Sequence, residues 1–211
     1  RDIRQKLINT VEVHADAIQQ VAQRSAGEHN LRYTGIDFSL APYPEPGRSI
    51  GTAMEALGPS AVGSPGSAAA AAFLANCLSG AKFTREGFCG LFLPVLEDSV
   101  LAARAASGQL TLSDLLLYST LCGTGLDTIP LPGSISQGAL TALLVDLGAV
   151  GLRHLKPLTA RLMPIPGKDV GDPVHFDFPY FADSGIMALP TADLQGPLAS
   201  PDLVDIGPRG L

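Results

Sequence analysis

Residues 126–164 constrain the fold more than any other stretch of the chain. A short apolar run at 126–131 ends in Pro132-Gly133, a segment at 137–155 is apolar nearly all round, and TARLMP at 159–164 is extended. Two extended runs joined by a helix make a crossover unit, which lays its strands parallel in one sheet. The middle segment lacks a polar face, which predicts a helix buried on more than one side.

The remaining residues repeat this alternation of helix and extended segment. Ile3, Leu7, Val11, His14, Ile18 and Val21 fall at steps of three and four, one stripe of an amphipathic helix that Gly27 closes, with His14 in the core or an interface. A strand is expected at 32–40, then a stiff loop through Pro42, Pro44 and Pro46. Ser49 caps a short helix to residue 57, and GSPGS at 63–67 turns the chain into an Ala-rich helix at 68–78, with Ser67 as its cap. GFCGLFLPV at 87–95 reads as a buried strand broken by Pro94, followed by helices at 97–106 and 111–121. A PGKDVGDP turn leads to an extended run at 174–178. Pro, Gly and Asp dominate 190–211, which should form an irregular tail.

The strands are few for so much helix, and the sequence opens at Arg1 rather than Met. The expectation is that residues 1–189 are the C-terminal portion of a single α/β domain. Its partner would be the missing N-terminal portion of the same protein or a companion chain, and the assembly would be an oligomer.

Composition excludes several function classes. A formal charge of −6 with no basic stripe argues against nucleic acid. The most apolar stretch, 138–152, carries Asp146 and falls short of the ~20 residues that span a bilayer. Cys77, Cys89 and Cys122 form neither a disulfide framework nor a zinc spacing, which favours a reducing, cytoplasmic setting. GSPGS lacks the Walker lysine and the dinucleotide glycine spacing.

Four segments in order, GIDFSLAP (35–42), GFCGLFLPVLEDS (87–99), LCGTGLDTIPLPG (121–133) and LTARLMPIPGKDVGDPVHFDFPYF (158–181), resemble the prokaryotic family of UPF0210-like proteins, domain of unknown function 711. The resemblance runs from about Tyr33 to Ala182. It implies an α/β fold, the C-terminal part of a β/α barrel related to the pyruvate-formate-lyase-like fold, and brings no activity with it. Glycyl radical enzymes share that fold, but Gly185, Gly207 and Gly210 do not sit in a radical-loop motif, so no glycyl radical is expected. Cys89 lies in a Gly-flanked loop, as the barrel-centre cysteine of those enzymes does, which is analogy of fold alone.

Polar residues at strand ends are where an α/β pocket forms. Asp37 lies within an apolar strand, either in a substrate pocket or as a cap or partner of Arg161. Glu97 and Asp98 could bind a metal or share a proton, or simply oppose a helix dipole. In DPVHFD, His175 and Asp177 point to one side of an extended chain and could hold a divalent metal with a third ligand from Asp37 or Glu97; otherwise His175 is structural. Arg161 and Lys168 are candidates for binding a substrate carboxylate or phosphate. Asp127 begins a strand and could act in the same pocket. Cys89 is a candidate nucleophile activated by His175 or Arg161, or a packing residue. Cys77 should be buried and inert. The expected activity is that of an enzyme acting on a small polar metabolite, with Cys89, Glu97, Asp127 and His175 catalytic and Asp37, Arg161 and Lys168 binding. The alternatives are a ligand-binding regulatory protein or a subunit that completes another chain's barrel.

Overall fold

A computed structural model describes residues 2–190, 193–200 and 205–208. The chain opens with a long helix α1 (Ile3–Glu28), then α2 (Ile50–Ala56), α3 (Ser67–Gly80), α4 (Ser99–Ala106) and α5 (Leu112–Ser119). The crossover unit follows as β1 (Gly125–Pro132), α6 (Gln137–His154) and β2 (Thr159–Ile165), with β1 and β2 parallel as expected. Two short antiparallel strands, β3 (Pro173–Val174) and β4 (Ser184–Gly185), close the described α/β region.

Extended segments adjoin one another in chain order. Residues 36–40 lie beside 85–92, residues 91–95 beside 123–127, and β1 beside β2, all running the same way. The expected strands at 32–40 and 87–95 are not a continuous ladder. They make two isolated parallel bridges, Ile36 to Arg85 and Leu40 to Leu91. Between those bridges the Phe88 and Cys89 N–H groups donate to the Asp37 carboxylate at 2.9 Å each, so a side chain replaces the ladder. The run expected at 174–178 is likewise extended only at its start.

The helix caps follow sequence chemistry. Ser49 Oγ accepts from the Thr52 N–H, and Thr111 and Asp114 form a reciprocal box at the start of α5. Ser67 is instead the first residue of α3, whose cap is Gly66; its Oγ donates to the Ser64 carbonyl. Asp98, fully buried, does more than oppose a dipole. Its carboxylate accepts from Ser49 Oγ and from the N–H groups of Ile50, Gly51, Val100 and Leu101, at 2.6–3.1 Å. One side chain thereby caps both α2 and α4 and ties them together.

Leu91, Leu93, Val95, Leu101, Leu115, Leu126, Ile129 and Leu131 are buried in the main core, each worth roughly 1.5–3 kcal/mol when fully removed from water. A second cluster joins Ile8 and Val11 of α1 to Cys77, Leu78 and Ala81, and burial pushes the Cys77 thiol up. Two helix expectations need correction. On α1 the buried residues are Ile8, Val11 and Ala15, while Ile3, His14, Ile18 and Val21 are exposed, because α3 covers a narrower face than the stripe. On α6 only Ala139, Leu143 and Leu147 are buried, and Leu144 and Leu152 face solvent. The helix buries one face in the core, and its other face meets the segment at 193–200, which approaches Gly138, and Gly207, whose carbonyl accepts from Arg153 Nη1 at 2.9 Å.

Glu55 accepts from Arg104 Nε at 2.8 Å and Nη2 at 3.0 Å and from the Val62 N–H at 3.0 Å. The Arg104 bonds hold its carboxyl below the ordinary value near 4.5 against the opposing effect of burial, and the Val62 bond adds to them. A depressed folded-state value stabilises the fold above the unfolded value, and that contribution is lost as pH falls through the folded one. The urea midpoint should therefore fall more steeply below about pH 4.5 in the parent than in Glu55→Gln, and the variant should start about 1–2 kcal/mol less stable at pH 7. Parallel pH profiles for the two proteins would refute this.

Candidate functional site

The centre of the site is a bulge in β1. Leu126 pairs with Ala160 and Ile129 with Leu162, so Asp127 and Thr128 together face Arg161 alone. Thr128 carries φ 48°, an unusual conformation for a β-branched residue, and its Oγ1 accepts from the Leu96 N–H at 3.1 Å. Bulges re-aim side chains, and this one turns Asp127 toward Arg161. Arg161 Nε donates to Asp127 Oδ1, and Nη2 donates to Glu97 Oε1 at 2.8 Å. The Asp127 side chain is 5% exposed, Glu97 28% and Arg161 54%, so the trio runs from core to solvent. The Asp127 bond is the main cause that raises the guanidinium further above its ordinary value; burial opposes it, while the charges of both acids and the Glu97 bond add to it. Nη1 contacts no partner among the described residues.

His175 adds a second element. Its Nδ1 lies 2.6 Å from Asp183 Oδ1. The Ala182 N–H, next to Asp183, donates to the Leu96 carbonyl at 2.7 Å, next to Glu97. This bond tethers the His175–Asp183 loop to the C-terminal end of the 91–96 segment, where the trio begins. Ligand sites on parallel sheets form at that end of the strands. Between His175 and Asp183 lie Phe176, Phe178, Tyr180 and Phe181, in mutual edge and tilted contacts with centroids 5.0–5.2 Å apart.

Other sequence candidates lie elsewhere. Asp37 does not pair with Arg161. Burial works to raise its carboxyl, but bonds from Ser39 Oγ and the Phe88 and Cys89 N–H groups outweigh it and hold the group low. It is the anchor of a tight loop. Gly87 must be glycine there, with φ 77° and a would-be Cβ 2.6 Å from the Asp37 carboxylate. Cys89 Sγ donates to the Ile36 and Glu86 carbonyls at 3.4 Å, and its expected activators bond to other groups. Lys168 is half-buried in its turn, and its backbone carbonyl accepts from the Gly133 N–H. Asp177 is exposed and makes no bond to His175; among the described residues no three His, Cys, Asp or Glu groups come together as a metal site.

Sequence reasoning missed Asp183, Thr128 and Lys156. Asp183 is eight residues from His175, a spacing with no period to flag it. Thr128 reveals itself only through the bulge. Lys156 sits just after α6, where a basic residue passes for a helix-end charge.

These features define an α/β protein with parallel segments added in chain order and a polar cluster where the end of the 91–96 segment meets the first halves of β1 and β2. The chain belongs to the family described as "Uncharacterised ACR (DUF711)", whose model matches residues 1–182. Its relatives include UPF0210 proteins of Lacticaseibacillus paracasei (35% identical over 181 residues, covering 84% of this chain and 40% of that protein) and Pyrobaculum arsenaticum (36% over 156 residues, 72% and 35%). Another, from Oleidesulfovibrio alaskensis, is 37% identical over 158 residues, covering 73% and 34%. The chain thus spans about two fifths of the length of the first relatives it matches. No solved structure matches it. No described helix is long and apolar enough to cross a membrane.

Proposed function

We propose that this chain carries the acid–base part of an enzyme acting on a small carboxylate-bearing metabolite. The observation that carries the reading is the exposed His175–Asp183 pair, tied through the Ala182 N–H to the Leu96 carbonyl next to Glu97 of the Glu97–Arg161–Asp127 trio. In this reading Arg161 binds the substrate carboxylate through Nη1, and Asp127 fixes the guanidinium plane. His175, oriented by Asp183, exchanges a proton with the substrate, and Glu97 supports the charge that develops. The remaining length of the protein would complete a barrel around this end of the strands and exclude water. A metal-assisted form of the reaction would need donors beyond the described residues.

The test is to follow a pooled mixture of succinate, malate and 2-oxoglutarate by NMR with the protein present. Conversion of one component that disappears in His175→Gln and falls at least tenfold in Arg161→Lys would support the proposal. Conversion unchanged in both variants, or no binding and no turnover of any carboxylate, would end it. A non-catalytic ligand-binding role is favoured by one observation, the commitment of the Cys89 thiol to two carbonyl oxygens, which leaves no nucleophile assembled. Carboxylate binding without turnover would select it.

A further inference from the structure

Where the chain enters the 91–96 segment, β1 and β2 lies a cleft of about 380 Å³, bounded by residues 87–91, 121–123 and Lys156. That volume lies within the range of small-molecule sites, about 300–1,000 Å³. Lys156 is half-buried. Its Nζ donates to the Ser119 carbonyl at 2.9 Å, and no described carboxylate pairs with it. Burial holds the ammonium below the ordinary lysine value, with Cys122 acting in the opposite direction. A partly desolvated charge without a counter-ion is a standing deficit that an anion removes. Four of the neighbouring N–H groups are already used: Phe88 and Cys89 by Asp37, Gly90 by Ser39 Oγ, and Gly123 by the Leu91 carbonyl. Lys156 is the one cationic side chain in the lining, so it supplies the charge that would recognise an anion, with Cys89 and Cys122 flanking it.

We propose that this cleft binds a small oxyanion-bearing molecule, a carboxylate or a phosphate, with Lys156 as its charged contact. The site is separate from the His175 cluster, and the two proposals stand or fall independently.

Occupancy can be read on the flanking thiols. N-ethylmaleimide labelling of the native protein would be followed residue by residue by mass spectrometry, in inorganic phosphate, citrate or chloride at equal ionic strength. Cys77, buried against α1, serves as the internal control. At an anion concentration twice the dissociation constant, Cys89 should react about threefold more slowly than in chloride. Lys156→Met should remove that protection and Lys156→Arg should keep it. Protection by phosphate alone assigns a phosphoryl ligand, and protection by citrate alone assigns a carboxylate. Equal Cys89 rates in all three salts, or protection that persists in Lys156→Met, would overturn the proposal. If Lys156→Met does not fold, loss of protection after lysine acetylation in the absence of anion, but not in its presence, provides the same reading.

Discussion

Asp98→Ala should destabilise the protein by about 3–5 kcal/mol, because it strands four N–H donors, two of them buried, at two helix starts at once. The carboxylate is fully buried and accepts from Ser49 Oγ as well as from Ile50, Gly51, Val100 and Leu101. For a chain of this length that loss lowers the melting temperature by about 10 °C or more. Asp98→Asn should recover part of the loss, since one amide oxygen still accepts while the amide nitrogen faces donors. Melting curves for parent, Asn and Ala variants in that order of stability would bear this out. An Ala variant within about 1 kcal/mol of the parent would show that water can replace the carboxylate.

The second large effect lies where two backbones touch. Gly90 and Gly123 belong to neighbouring extended segments, and a Cβ built on Gly90 falls 2.5 Å from the Gly123 Cα. A Cβ on Gly123 falls 2.8 Å from the Gly90 Cα and 3.2 Å from its carbonyl carbon. Backbone cannot step aside as a flexible side chain can, so each Ala variant must pry the segments apart. The bond from the Gly123 N–H to the Leu91 carbonyl, 2.7 Å, would lengthen or break. The expected loss for either variant is about 3 kcal/mol or more, in the range of severe overpacking. Gly148→Ala supplies the opposite sign. It lies inside α6 with nothing within 4 Å of its would-be Cβ, and should gain about 0.5–1 kcal/mol. Urea midpoints ordered Gly148→Ala, parent, Gly123→Ala are the expected result; equal midpoints for parent and Gly123→Ala would refute the close contact.

The crossover unit was legible in the sequence because hydrophobic pattern and turn residues agree there. Pro132-Gly133 ends β1, Ser136 Oγ accepts from the Ala139 N–H at the start of α6, and both strands lie where the apolar runs predict. The extent of burial was not legible. Leu144 and Leu152 carry the same apolar signal as Leu143 and Leu147, and only the packing decides which face is covered.

The candidate site shows a similar division. Glu97, Asp127 and Arg161 each stood out as charges beside apolar runs, yet their pairing depends on one extra residue in β1. A bulge leaves no trace in residue type here, since Thr128 is an ordinary strand former by composition. Asp37 stood out as a carboxylate in an apolar segment, yet it is exposed there, and its partners are Ser39 Oγ and backbone N–H groups, which carry no sequence signature. Neither Asp37 nor Asp98 binds an arginine. Both act as acceptors for main-chain groups that secondary structure leaves unpaired.

The chain-order adjacency of the extended segments bears on how this protein is made. Residues 36–40 find their neighbour at 85–92, those at 91–95 find theirs at 123–127, and β1 finds β2, so these parallel partners are made one after another. Two later bonds reach back across the chain, from the Ala182 N–H to the Leu96 carbonyl and from the Met187 N–H to the Pro130 carbonyl. A nascent chain leaving the ribosome can therefore add the parallel segments one at a time, while the Leu96 and Pro130 carbonyls stay open until the 182–187 stretch arrives.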